Sequence, residues 1–386
     1  MFINSNPTVE GPSRAFRMME QGPGRTFYFV ESVAAQPPFS CSHTSMQSSS
    51  LLRRAATLAV IASFSLSFSL SQAADLSKGL ILCTNKGDQT LSLIDSETNK
   101  EIVAIPEEGI TGHEVIASKD GKLAFVPIFG DSGVGKPGTD GQHIQVIDLA
   151  QKKIVHTIDL GRGLRPHCPI IHPITGDLYV TTENENSITI VDGKTFKVKG
   201  SITTGQDQSH MLIISNDGKR GYTSNVGPGT VSVLDLEKNE LIKIIPISKI
   251  CQRIAVSNDD KFIFTSDQTM PQLVVIDATT LEIVKRIDLG DFGYGAAPTP
   301  DGKSLVLSLI SGDRVGLIDL EKMELTKTVS VPRSPQAVIV RPDGKKAYVS
   351  CDRSAQVAVI DLETFKVDTL IQAGKTADGL AWAPAQ

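Results

Sequence analysis

From residue 79 to the C-terminus, short apolar runs alternate with tight turns rich in Gly, Asp, Asn and Lys. The stretch 210–245 shows one complete unit. Its pattern predicts strands over 210–215, 221–225, 231–236 and 241–246. They are separated by Asn216-Asp217-Gly218-Lys219, by Val226-Gly227-Pro228-Gly229 and by Glu237-Lys238-Asn239, with Gly218 at the turn position that tolerates positive φ. Four short antiparallel strands joined this way make one blade of a β-propeller.

The unit recurs seven times. An aliphatic residue followed by an aspartate marks each third strand: Ile94-Asp95, Ile147-Asp148, Val191-Asp192, Leu234-Asp235, Ile276-Asp277, Ile318-Asp319 and Ile360-Asp361. The steps between these aspartates are 53, 44, 43, 42, 42 and 42 residues. A near-fixed period of this size predicts an all-β, seven-bladed propeller with four antiparallel strands per blade. The first copy lacks a first strand and opens on the second, Gly79 to Asn85. The chain ends on an unpaired first strand, Asp378 to Trp382. Pairing these ends closes the ring and leaves no open sheet edge between the first and last blades.

The second strands read Tyr179-Val180-Thr181-Thr182, Tyr222-Thr223-Ser224-Asn225 and Tyr348-Val349-Ser350-Cys351. Together with the Asp-Gly-Lys turns, such as Pro300-Asp301-Gly302-Lys303 and Pro342-Asp343-Gly344-Lys345, this resembles the YVTN-family β-propellers over essentially all of 79–386. The resemblance implies a secreted seven-bladed propeller. Relatives and lookalikes include surface-layer proteins, lactonase-like propellers, a streptogramin lyase and propellers that accompany redox enzymes, so it implies no single activity.

The seven first strands are apolar in nearly every register, as expected of an innermost strand buried on both faces. One aligned position is polar in all seven: His113, His167, His210, Gln252, Tyr294, Gln336 and Asp378. It is expected at the mouth of the central channel. The three histidines fall on consecutive blades, and ring closure puts Asp378 beside His113. Three imidazoles leave an open position on zinc, copper, iron or nickel. We therefore expect His113, His167, His210 and Asp378 as metal ligands, with Asp378, Tyr294 and Glu114 as candidate proton-transfer groups. A water-filled or small-molecule mouth without metal is the competing expectation. The step from the first to the second aspartate is long because Phe129 to Gly141 forms a Gly-rich insertion, predicted on the same face and placed to act as a lid.

Composition and charge narrow the function. The formal charge is −5, aromatic residues make up 5%, and there is no basic block; nucleic acid is excluded as a partner. Arg53-Arg54, the apolar run from Ala55 to Leu70 and Ser71-Gln72-Ala73 form a secretory signal with cleavage expected after Ala73. A start at Met46 leaves residues 1–45 as an extension outside the native or ordered protein, 46–73 as signal, and 74–386 as a monomeric propeller without a stable membrane span, periplasmic or extracellular. Cys83, Cys168, Cys251 and Cys351 then remain, as disulfides or as buried thiols. No nucleophile elbow, heme-attachment motif or dinucleotide-binding glycine pattern is present. The expected function is a binding or scaffold propeller for a small molecule or protein. The alternatives are a metal-dependent lactonase or lyase, and a redox accessory protein with copper or iron at the histidine arc.

Overall fold

A computed structural model describes residues 75–386. The expected extension and signal segment lie outside the described residues.

The propeller is as the repeat predicts. Seven four-stranded antiparallel sheets are present, each meandering from the axis outward. Blade 1 combines Ala377–Pro384 with Gly79–Asn85, Thr90–Asp95 and Lys100–Pro106. Blades 2 to 7 follow in order over 116–159, 166–203, 209–246, 251–288, 293–330 and 335–372. Ring closure occurs where expected: Leu82 pairs with Ala381 and Asn85 with Ala377. The final strand runs to Pro384, further than the apolar run ending at Trp382 suggests, because Gly79 and Leu80 supply pairing partners for Pro384 and Ala383.

The template strands of blade 4 are Ser209–Ile214, Arg220–Asn225, Thr230–Asp235 and Glu240–Pro246, within one residue of the reading at every boundary. Gly218 has φ +75°, as its turn requires. The first strand of blade 2 is reduced to Ile116–Ala117. The backbone around His113 is tied instead by a bridge from Gly112 to Ile128.

The repeat aspartates work at turns. Asp95, Asp192 and Asp361 each accept two hydrogen bonds from a threonine two or three residues on, capping the turn between the third and fourth strands. Aliphatic clusters fill the space between neighbouring blades, for example Leu82, Leu91, Leu93, Val126 and Ile147 between blades 1 and 2. Among the described residues the four cysteines, Cys83, Cys168, Cys251 and Cys351, are buried and unpaired. Burial pushes the thiols of Cys168, Cys251 and Cys351 up to about 12, so they are inert packing residues. Among the described residues no helix is long and apolar enough to cross a membrane.

Candidate functional site

The polar ring forms at one end of the axis, and its register is fixed by hydroxyl groups. Six of the seven second strands carry a Ser or Thr one residue before the strand's inner end; in blade 2 the position is Val126. In five blades this hydroxyl donates to the backbone carbonyl of the ring residue on the next blade. Thr84 holds His113 O at 2.8 Å, Thr181 holds His210 O at 2.9 Å and Ser266 holds Tyr294 O at 3.1 Å. Ser308 holds Gln336 O at 2.9 Å and Ser350 holds Asp378 O at 2.5 Å. The third letter of the Tyr-Val-Thr-Asn pattern therefore positions the site, a role that repeat matching alone did not suggest. Thr181→Val is expected to cost about 1 kcal/mol of stability. Urea unfolding measures this, and an unchanged midpoint would argue that the hydroxyl is idle.

In blade 5 the bond is missing although the neighbouring blade carries the hydroxyl. Arg253 follows ring residue Gln252 and sits at φ +59°, a left-handed conformation rare for a long side chain. The pairing slips there as in blades 1, 3, 4, 6 and 7, but here the hydroxyl of Ser224, which would otherwise reach the ring carbonyl, is buried without a partner. This break in the repeat sends Arg253 across the axis. Its guanidinium pairs with Glu114 of blade 2, donates to Asp378 Oδ1 of blade 1 at 3.3 Å, and lies 4.8 Å above the Tyr294 ring of blade 6. Arg253 lines both a polar mouth cavity of about 530 Å³ and a second, largely apolar cavity of about 230 Å³ further down the channel. It divides the channel between them.

The expected ring residues do not all share one role. His113, His167, His210, Gln252, Tyr294 and Asp378 line the mouth. Gln336 does not: it is buried and its amide turns back to Ser334 Oγ at 3.2 Å. Glu114 also misses the mouth, because the next residue along a strand points elsewhere; it lines the lower cavity, under Arg253. Lys86 was not foreseen. It follows the second strand of blade 1 and pairs with Asp378 Oδ2 at 2.8 Å.

The three imidazoles come together as the register predicts. His167 and His210 stack face to face, with ring centres 3.7 Å apart and planes tilted by 31°. His113 meets His167 edge-on at 5.4 Å. Phe129, fully buried, packs against His113 at 4.8 Å and His167 at 5.1 Å. Among the described residues no group of three or more His, Cys, Asp or Glu side chains is arranged to hold a metal ion as it stands.

Burial holds His113 down to about 4, with the Asp378 carboxylate opposing and Lys86 and Arg253 assisting. Burial also keeps His167 and His210 well below the usual imidazole range. All three are neutral at neutral pH. Burial pushes the Asp378 carboxyl up, but Lys86 and Arg253 outweigh it and hold the group ionised. Burial raises Glu114 despite Arg253, and raises the Tyr294 hydroxyl.

The insertion folds over this mouth. Gly133, Val134, Gly135 and Lys136 line the cavity. Arg165, itself buried, fastens the loop by donating to Lys136 O at 2.8 Å and Asp140 Oδ1 at 2.5 Å, while Gly135 N donates to Glu183 Oε1 at 2.9 Å. Gln208 is wedged between Gly135 and Gly227, where a Cβ on either glycine would meet its amide within 2.5 Å. The other histidines stand apart. His156 is exposed on an outer strand, His172 is buried and bonded to Gly218 O, and His143 pairs with Asp159.

A family described as the Cytochrome D1 heme domain matches residues 175–299. That span includes His210, Gln252, Arg253 and Tyr294 but not His113, His167 or Asp378. Among solved structures, the chain is similar to one described as Kuenenia stuttgartiensis Hydrazine Synthase. The two share 20% identity at a TM-score of 0.64, over 74% of this chain and 93% of that one. At that identity the likeness establishes the fold. No curated protein sequence matches the chain.

Proposed function

We propose that this protein is a heme-related ligand-binding propeller, a redox accessory rather than a hydrolase, whose mouth takes an iron tetrapyrrole. The observation that carries the reading is three neutral imidazoles, those of His167 and His210 buried and that of His113 half-buried, lining with Lys86 a cavity of about 530 Å³. That volume suits a small-molecule site. The partial match to the Cytochrome D1 heme domain supports the same reading.

The residues present fit such a group. Heme iron takes a neutral imidazole nitrogen, and the ring's other nitrogen needs an anionic or carbonyl partner. His113 suits this role: it is the least enclosed of the three, and the Asp378 carboxylate acts on it electrostatically. Lys86 and Lys136 would face acidic side chains of the ligand, and Val134, Val226 and Ile250 would give apolar contact. When bound, the group supplies iron redox chemistry, and the protein's part is to hold and enclose it. Export to the periplasm or beyond, with cleavage after Ala73, belongs to the same proposal.

Titrating hemin into the purified mature chain tests this. Saturable binding with the absorption spectrum of histidine-ligated iron is expected in the wild type, and its loss in His113→Ala. Absent binding, or a spectrum unchanged in His113→Ala, would overturn the assignment. Parallel titrations with zinc, copper and nickel address a bare metal on His113, His167, His210 and Asp378. That site requires the stacked rings of His167 and His210 to turn apart.

A further inference from the structure

We infer that the mouth receives an oxyanion of its ligand, a carboxylate or a group of similar charge and shape, on the Nε2–H edges of His167 and His210. The inference rests on the reading of the mouth as the ligand site and adds the chemistry of the ligand's polar end.

The argument begins with two orphaned atoms. His167 is 2% exposed and His210 is 5% exposed, and the Nδ1 of each is buried without a hydrogen-bond partner. A neutral imidazole has one N–H and one lone pair, on different nitrogens. A proton on either Nδ1 would be a buried donor with no acceptor, at a cost of roughly 1–3 kcal/mol. Either tautomer leaves Nδ1 unpaired, but a proton on Nε2 keeps the ring's one donor toward the cavity that both residues line, where a ligand can satisfy it; the geometry therefore favours Nε2–H. Metal ligation through Nε2 would need the opposite tautomer and an acceptor behind Nδ1; neither ring has that acceptor.

The surroundings point the same way. Lys86, Lys136 and Arg253 line the same cavity and bring positive charge. The carboxylate that lines it, Asp378, is already taken by Lys86 and Arg253. Gln252 Oε1 is one acceptor left without a partner there, but the donors outnumber it, and the ligand has to supply acceptor oxygens. The two ring centres lie 3.7 Å apart and both rings line the same cavity, a separation that one carboxylate can span.

The group could be an acidic side chain of a tetrapyrrole or a free small oxyanion. The first measurement needs no ligand. Nitrogen-15 NMR of the histidine-labelled wild type is expected to show two Nε2–H tautomers that stay neutral at pH 7. Finding Nδ1–H on these rings would overturn the inference whatever binds. Hemin, its dimethyl ester and inorganic phosphate are then titrated into the wild type and into a His167→Phe/His210→Phe variant, which keeps ring shape and stacking but has no N–H. Hemin is expected to bind the wild type at least tenfold more tightly than the ester, with that advantage lost in the variant. If hemin fails to bind but phosphate shifts both imidazole signals, the heme assignment falls and the oxyanion inference stands, with a free ion as its source. Ester binding equal to hemin binding, or no response of either imidazole to hemin or phosphate, would sink it.

Discussion

Arg253→Met is expected to cost about 3–5 kcal/mol of folding stability, the usual penalty for breaking a buried ion pair from one side. The guanidinium is enclosed at the axis, and Glu114 and Asp378 are 6% and 4% exposed. Methionine would fill much of the same space, beside Met211, whose sulfur Arg253 already approaches at 3.6 Å. Lost packing is therefore a small part of the effect. The carboxylates dominate: Asp378 keeps Lys86, but Glu114 loses its partner and must take up a proton or drag in water. A Glu114→Gln/Arg253→Met variant removes the stranded charge and is expected to regain at least half of the loss. Urea denaturation of the three proteins measures both effects. A single variant as stable as the wild type would show that Arg253 ties nothing together. Relief of its left-handed backbone does not enter, since methionine is no better suited than arginine to φ +59°.

The same residue marks where the sequence ceases to be readable. Blade number, strand order, ring closure and the gathering of His113, His167 and His210 all follow from a period. A period is visible because every blade solves the same packing problem with the same residue types. Gln336 shows the limit of that logic: it occupies the right register, yet a local bond to Ser334 turns its amide away from the mouth. Arg253 and Lys86 lie further out of reach. Arg253 sits one residue from the ring position, where alternation would place it on the other side. The pairing slips at this level in six blades, but of the seven residues that follow a ring position Arg253 alone is left-handed, and no periodic argument anticipates that. Lys86 lies in a loop and is placed by Asp378, almost three hundred residues away in sequence. The two arginines that organise the site, Arg165 and Arg253, carry no periodic signal in the sequence. Burial and pairing, which decide their roles, are properties of the closed ring alone. The orientation of the imidazoles was equally hidden, because register fixes where a Cα lies and Phe129 decides how the rings turn.

Acid is expected to destabilise the wild type more than a His113→Asn/His167→Asn/His210→Asn variant, over a window set by the imidazoles. Unfolded, each histidine takes up a proton below about 6.5; in the folded mouth, His113 does so only near 4. Between those values the unfolded state binds more protons, so stability falls as pH falls, and above 6.5 the imidazoles contribute nothing to the slope. His113 alone accounts for about 3 kcal/mol once the window is crossed. His167 and His210, also depressed by burial, act in the same direction. Two carboxyls oppose them. Burial raises Glu107 to about 7 and holds Glu114 up as well. Both therefore bind protons in the folded state first and add stability as pH drops from about 7 toward 4.5. They are present in both proteins, so the difference between the two stability–pH curves isolates the histidines. Urea midpoints at pH 7, 5.5 and 4 supply that difference, and parallel curves would mean that the imidazoles are solvated and the mouth is open to water.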